Sequence, residues 1–362
     1  MDSAVPIIFI PGILSSQLYL PENGKKIWLS PLFLKMPERM EISSPLAVKN
    51  NETDQQTLPG AKREKGIMMR ELFLIERLCS TFPERPVYYF SYDWRTCRKP
   101  VKKFLELIEY LKKQGYEKAD VICHSMGGLV LSSYISRNGL EFFRKIICLA
   151  VPFEGSPLIE KLAITGDIHS IPNSVAETFK LSKEMLIEYP SAADLLPSAE
   201  YLSVYPIYRK GIPMTPEETE TFLKELMPKT FSAGRKFQRS LHRNAYKNLL
   251  EYPDCYFGIG VGKETTQTIS LENEGSFKEY VDMSGDRDVP EYSATMCGKV
   301  EKLGFMRFRR FDSRHSELLR AGESLEWIFE ILGADEEKRR SSEKKKVKKE
   351  KSSRGRAKSS GK

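Results

Sequence analysis

Ala119-Asp-Val-Ile-Cys-His-Ser-Met-Gly-Gly-Leu-Val130 is the stretch on which the reading of this chain depends. Val121-Ile-Cys123 is a short apolar run, long enough for a strand buried on both faces. Ser125 follows at once, then Met126-Gly127-Gly128, then Leu-Val-Leu-Ser-Ser-Tyr-Ile, which reads as a helix. A serine at a strand-to-helix turn with glycine two residues later is the pattern of a nucleophile elbow. The turn is so sharp that the residues two before and two after the serine must be small. Gly127 meets that demand, while Cys123 stands where the pattern G-x-S-x-G has its first glycine. A buried strand, a glycine turn and a helix without chemistry would look the same locally, so the rest of the chain decides.

Strand and helix patterns alternate on both sides of this stretch. Val5-Pro-Ile-Ile-Phe-Ile-Pro-Gly12 reads as a buried strand entering a turn, and Pro86-Val-Tyr-Tyr-Phe-Ser-Tyr92 as a strand closed by Asp93-Trp94-Arg95. Apolar residues at 101, 104, 105, 108 and 111 mark an amphipathic helix to Lys113. Arg144–Val151 and Cys255–Val261 read as strands, as does Phe305–Phe311, and Ser324–Leu332 as a closing helix. Such alternation predicts a mostly parallel sheet covered by helices on both faces. Residues 1–157 and 255–333 form the expected core, interrupted by a polar, proline-punctuated insertion at 20–70 that is a candidate lid. Residues 158–254 carry helical patterns (Ser174–Leu186, Pro216–Leu226, Lys236–Leu250) and no strong strand, which predicts an inserted helical cap.

Acyl transfer by a serine requires a base near the hydroxyl, a carboxylate to orient that base, and donors for the oxyanion. Of the four histidines, His315 alone lies just before a helix after the last expected strand, where a base belongs. His124 is expected to point away from its neighbour Ser125 and to be structural, and His169 and His242 to be solvated in the cap. The acid should fall between serine and histidine, and Ser284-Gly-Asp286-Arg-Asp288-Val-Pro290 offers two carboxylates. Asp286 is favoured for its glycine-flanked turn, with Asp288 the alternative. The backbone N–H groups of Ile13 and Met126 are the expected oxyanion donors. The order serine, acid, histidine at 125, 286 and 315 is that of an α/β-hydrolase fold.

Charge and cysteines narrow the setting. Residues 334–362 hold 13 Lys/Arg and 5 Asp/Glu, which accounts for the whole net charge of +8; residues 1–333 are neutral. The composition of this tail predicts disorder, with peripheral contact to anionic lipid as the expected partner. Nucleic acid ranks lower, because no aromatic residue interleaves with the charge to stack on bases. The six cysteines show neither C-x-x-C nor finger spacing, and no H-E-x-x-H cluster occurs, so no metal and no cofactor is expected. The opening residues lack a signal-peptide pattern, which predicts a cytoplasmic protein with peripheral membrane contact.

These residues resemble one family, the lecithin:cholesterol acyltransferase-like lipases and phospholipases. The likeness runs through Pro6-Ile-Ile-Phe-Ile-Pro-Gly-Ile-Leu-Ser-Ser-Gln-Leu18, Tyr92-Asp-Trp-Arg95, His124-Ser-Met-Gly-Gly128 and Pro152-Phe-Glu-Gly-Ser156. It continues in Tyr256-Phe-Gly-Ile-Gly260, Gly285-Asp-Arg-Asp-Val-Pro290 and His315, all in the family's order. The resemblance implies Ser125 as nucleophile, Asp286 as triad acid, His315 as base, and Ile13 with Met126 as the oxyanion hole. Trp94 and Phe153 are assigned to substrate binding. It also implies attack on fatty acyl esters of glycerolipids, with the acyl group passed to water or to an alcohol. Two departures stand out: residues 20–70 contain no cysteine to close a lid by a disulfide, and Glu154 replaces a small residue. The alternatives are a non-catalytic lipid-binding or scaffold protein on the same fold, or a small-ester carboxylesterase or thioesterase.

Overall fold

The computed structural model describes residues 5–28, 69–166, 183–273 and 276–333. Most of the 20–70 insertion, the first part of the expected helix Ser174–Leu186, His169 and the 334–362 tail lie outside the described residues. The central strands are β1 (Ile7–Ile10), β2 (Val87–Tyr89), β3 (Ala119–His124), β4 (Phe143–Leu149), β5 (Cys255–Val261) and β6 (Phe308–Asp312). They form one sheet in the order β6-β5-β4-β3-β1-β2, parallel throughout. The parallel arrangement follows from composition: Ile7–Ile10 and Ala119–His124 are buried at every position, as strands covered on both faces must be.

Alternation along β1 sorts the core into two layers. Ile8 and Ile10 pack with Phe104, Ile108 and Leu111 of the helix Pro100–Lys113 and with Leu131 and Tyr134 of the helix Gly127–Asn138. Ile7 and Phe9 face the other way, toward Leu74 and Leu78 of the helix Met69–Thr81 and Ile328 of the helix Gly322–Leu332. Strand order reverses at β1, which has β2 on one side and β3 on the other. In open α/β sheets the crevice at the carboxyl ends of the strands beside such a reversal is where ligands bind. Pro11-Gly12 and Ser125 leave β1 and β3 at that point.

The region 158–254 is mainly helical, but it is not strand-free. Tyr208–Arg209 and Ile212–Pro213 form a hairpin turned by Lys210 and Gly211, both with positive φ (52° and 77°). Tyr208–Arg209 pairs in turn with Thr265–Leu271, whose antiparallel partner is Phe277–Asp282, giving a second, four-stranded sheet. Two-residue strands have no periodicity to read, so sequence patterning misses them. The helix expected over Lys236–Leu250 is α-helical only over Phe231–Leu241 and Lys247–Glu251, with a π-helical turn at His242–Tyr246 between them.

Glu160, in the helix Leu158–Thr165, is 1% exposed, and its Oε1 has no hydrogen-bond partner among the described residues. Burial pushes its carboxyl up to about 8 from an ordinary 4.5, with Arg235 pulling the other way. The folded protein therefore holds a proton there that the unfolded chain releases, so stability is full below about pH 4.5 and is lost as pH rises through about 8. At about 1.4 kcal/mol per pKa unit the loss amounts to a few kcal/mol. Glu160→Gln should melt at a higher temperature than wild type at about pH 8.5 and match it at about pH 4.5. Equal melting temperatures at both values would contradict the buried, protonated carboxyl.

Candidate active site

Ser125 sits at the carboxyl end of β3 with φ of 53°, a left-handed conformation that costs an L-residue roughly 1–2 kcal/mol. Its N–H bonds to the Leu149 carbonyl at 2.9 Å, and its own carbonyl accepts from Gly128 N–H at 2.9 Å, which fixes the turn from both sides. Gly127 is forced by space: a Cβ there would lie 2.4 Å from the Ile10 carbonyl oxygen. Cys123 fits two residues before the serine because its sulfur lies sideways, 3.6 Å from Cys148 Sγ on the neighbouring strand. Both thiols are free and buried.

Asp286 and His315 meet across two loops. His315 Nδ1 lies 2.7 Å from Asp286 Oδ2, and the His315 backbone N–H donates to the Asp286 carbonyl at 2.9 Å. The other carboxylate oxygen, Oδ1, accepts from the N–H groups of Asp288 (3.0 Å) and Val289 (2.7 Å). Asp286 is 1% exposed. The alternative acid, Asp288, thus contributes its backbone to Asp286, and its carbonyl accepts from Ser156 Oγ at 2.7 Å. Gly260 makes the approach possible, since a Cβ there would stand 2.6 Å from both Asp286 Cβ and the Ser313 carbonyl oxygen.

Two histidines stand differently from the sequence expectation. His124 does not point away: its Nε2 lies 3.1 Å from the His315 carbonyl, and the two rings are 4.8 Å apart. His242 is paired with acidic groups, its Nε2 lying 2.9 Å from Glu154 Oε2. Adjacency in sequence gives no sign of either contact, because both partners come from distant segments.

Ser125, His315 and Asp286 line one cavity of about 570 Å³, within the usual range for a small-molecule site. Core loops form its floor and the cap supplies an apolar wall from Leu158, Ile159, Leu162, Leu186 and Leu195. Gly12 and Ile13 line it, and the Tyr92 hydroxyl donates to the Pro11 carbonyl at 2.8 Å, holding the turn that carries Ile13. Met126 caps the helix Gly127–Asn138, and the first N–H groups of a helix have no intrahelical acceptor. Of the two residues assigned to substrate binding, Trp94 lines the cavity. Phe153 does not: it is buried, with its ring 5.3 Å from Tyr246 and 6.0 Å from Phe257. Its apolar character serves the seam between cap and sheet.

Beside Trp94, the cavity holds a residue that the sequence motifs do not announce, Ser191. Trp94 Nε1 and Ser191 Oγ are buried polar atoms with no hydrogen-bond partner among the described residues, and both residues line the cavity. Ser191 is tied to the Tyr92-Asp-Trp-Arg95 segment, its N–H donating to the Arg95 carbonyl at 3.1 Å. Arg95 in turn forks onto Asp93 through Nε (2.9 Å) and Nη2 (2.8 Å).

The parallel sheet, the strained serine turn and the inserted cap give this chain an α/β-hydrolase fold. In sequence it resembles the lecithin:cholesterol acyltransferase family, whose model, described as Lecithin:cholesterol acyltransferase, matches residues 82–230. A relative from Arabidopsis thaliana, Lecithin-cholesterol acyltransferase-like 4, is 25% identical over 230 residues, covering 53% of this chain. The match covers 42% of that relative, less than half its length. Among solved structures, one described as the Tle4-Tli4 complex is similar with a TM-score of 0.59 at 14% identity, over 91% of this chain and 99% of that one.

Proposed function

We propose that the protein is a serine hydrolase of fatty acyl esters. The observation that carries this reading is the 2.7 Å contact of His315 Nδ1 with Asp286 Oδ2 in the cavity that also holds the strained Ser125. Ser125 Oγ attacks the acyl carbonyl while His315 Nε2 takes its proton, and Asp286 holds the opposite ring nitrogen. The Ile13 and Met126 N–H groups receive the oxyanion. Collapse of the tetrahedral intermediate breaks the ester C–O bond, and the leaving alkoxide takes the proton from His315. Water then attacks the acyl-enzyme by the same route, releasing the acid and restoring Ser125. An alcohol in place of water gives acyl transfer.

An apolar cap wall suits an acyl chain, and the Trp94 and Ser191 donors suit an ester's polar end. A series of soluble esters of increasing acyl length tests this. The account expects kcat/KM to rise with chain length until the cavity is filled, at roughly 1 kcal/mol, about fivefold, per buried methylene. A profile that falls from acetate onward would favour a small-ester carboxylesterase and reject the lipid substrate.

No helix among the described residues is long and apolar enough to cross a membrane. Contact with lipid is proposed to come from the basic segment 334–362 of a cytoplasmic, peripherally bound protein, at about 1 kcal/mol per basic residue near an anionic surface. Deleting 334–362 should weaken co-sedimentation with anionic vesicles and leave soluble-ester hydrolysis unchanged. Equal sedimentation with and without the segment would reject that contact.

A further inference from the structure

Away from the catalytic cavity, Glu154, Glu200 and Cys297 converge from three parts of the fold. Glu154 lies in the loop after β4, Glu200 in the cap helix Ala199–Leu202, and Cys297 in the turn after the helix Glu291–Ala294. One ligand-capable atom from each lies within 4.8 Å of the other two. Glu154 is fully buried, and its Oε1 has no hydrogen-bond partner among the described residues. A buried carboxylate oxygen left without a donor is costly unless a cation or proton reaches it.

The surroundings orient these groups. Ser198 Oγ donates to Glu154 Oε2 at 2.5 Å. His242, in the π-helical turn, sets Nε2 2.9 Å from Glu154 Oε2 and Nδ1 3.6 Å from Glu200 Oε2. Lys299 Nζ lies 2.7 Å from Glu200 Oε1. Met296 and Cys297 both take positive φ (51° and 56°) in the turn that carries the thiol.

We propose that Glu154, Glu200 and Cys297 form a structural site for a zinc-class divalent cation, with His242 positioning the two carboxylates. The donor set decides the class: a thiolate beside carboxylates matches a borderline-soft ion such as Zn²⁺ and not Mg²⁺ or Ca²⁺, which prefer oxygen alone. Ligand atoms around Zn²⁺ stand roughly 3.3–3.8 Å apart, given bonds of about 2.0–2.3 Å, so the cluster must contract by about 1 Å. Glu200 is exposed, and moving inward exchanges its contact with Lys299 for the ion. Binding replaces the S–H bond of Cys297 with a metal–sulfur bond and releases the proton to solvent. The ion would fasten the cap (Glu200, His242) to the sheet loop (Glu154) and to the segment following Asp286. The ligand spacing, 154, 200 and 297, matches no metal motif, which is why the sequence gives no sign of it.

The test uses the full chain, stripped with a chelator and titrated with Zn²⁺, and with Co²⁺ as a spectroscopic substitute. One equivalent of Zn²⁺ should bind and raise the melting temperature, and Co²⁺ should show a sulfur-to-metal charge-transfer band. Cys297→Ser should abolish the band. Glu200→Gln, at an exposed position, should weaken Zn²⁺ by at least about tenfold, and His242→Ala by about 10- to 100-fold. Absence of saturable binding at micromolar Zn²⁺ would overturn the proposal. So would a band that persists in Cys297→Ser, which would place the metal on another thiol.

Discussion

Ser125→Ala should lower kcat for a soluble ester by roughly 10⁵-fold while leaving the melting temperature within a few degrees of wild type. The chemical loss is large because the hydroxyl is the group that forms the acyl-enzyme, and the remaining parts of a triad work only through it. The structural loss is small because alanine meets the same left-handed strain at φ of 53° that serine already bears. Gly127 and the Leu149 and Gly128 backbone bonds hold the turn whichever of the two stands there. Steady-state kinetics beside a thermal melt checks both halves. Residual activity within tenfold of wild type in a folded variant would remove Ser125 from the chemistry.

Asp286→Asn should cost about 10⁴-fold in kcat, and Asp288→Asn no more than a few-fold. An asparagine at 286 retains a carbonyl oxygen to accept the N–H groups of Asp288 and Val289, so the loop keeps its shape. Its amide NH₂ then faces His315 Nδ1, where the carboxylate oxygen stood at 2.7 Å. That favours the tautomer with Nδ1 as acceptor and Nε2 protonated, which cannot take the serine proton. Asp288 gives the loop its backbone groups, the N–H to Asp286 and the carbonyl to Ser156. Comparable losses in both variants would mean that the loop, and not one carboxylate, is what the reaction needs.

Much of this arrangement is written in local sequence. Ile7–Ile10, Ala119–His124 and Cys255–Val261 are apolar runs whose burial follows from composition, and the glycines at 127 and 260 mark places where another segment comes too close for a Cβ. The serine–acid–histidine order locates the loops that line the cavity. Side-chain direction is another matter. Whether His124 turns toward His315, or Phe153 toward Tyr246 and Phe257, is set by segments more than 90 residues away, and no spacing encodes it. The glycine-flanked turn favours Asp286 over Asp288 in sequence, but the two separate fully only when the backbone folds two N–H groups onto Asp286. The cap hairpin at 208–213 escapes for a related reason: its strands exist because Thr265–Leu271 lies beside them.

The most direct test of the central claim is covalent labelling with a fluorophosphonate, read by mass spectrometry of the peptide that contains Ser125. The account predicts one adduct, on Ser125, absent in Ser125→Ala and greatly slowed in Asp286→Asn. A folded wild-type protein that stays unlabelled both in buffer and with anionic vesicles, or that carries its adduct on another residue, would contradict it.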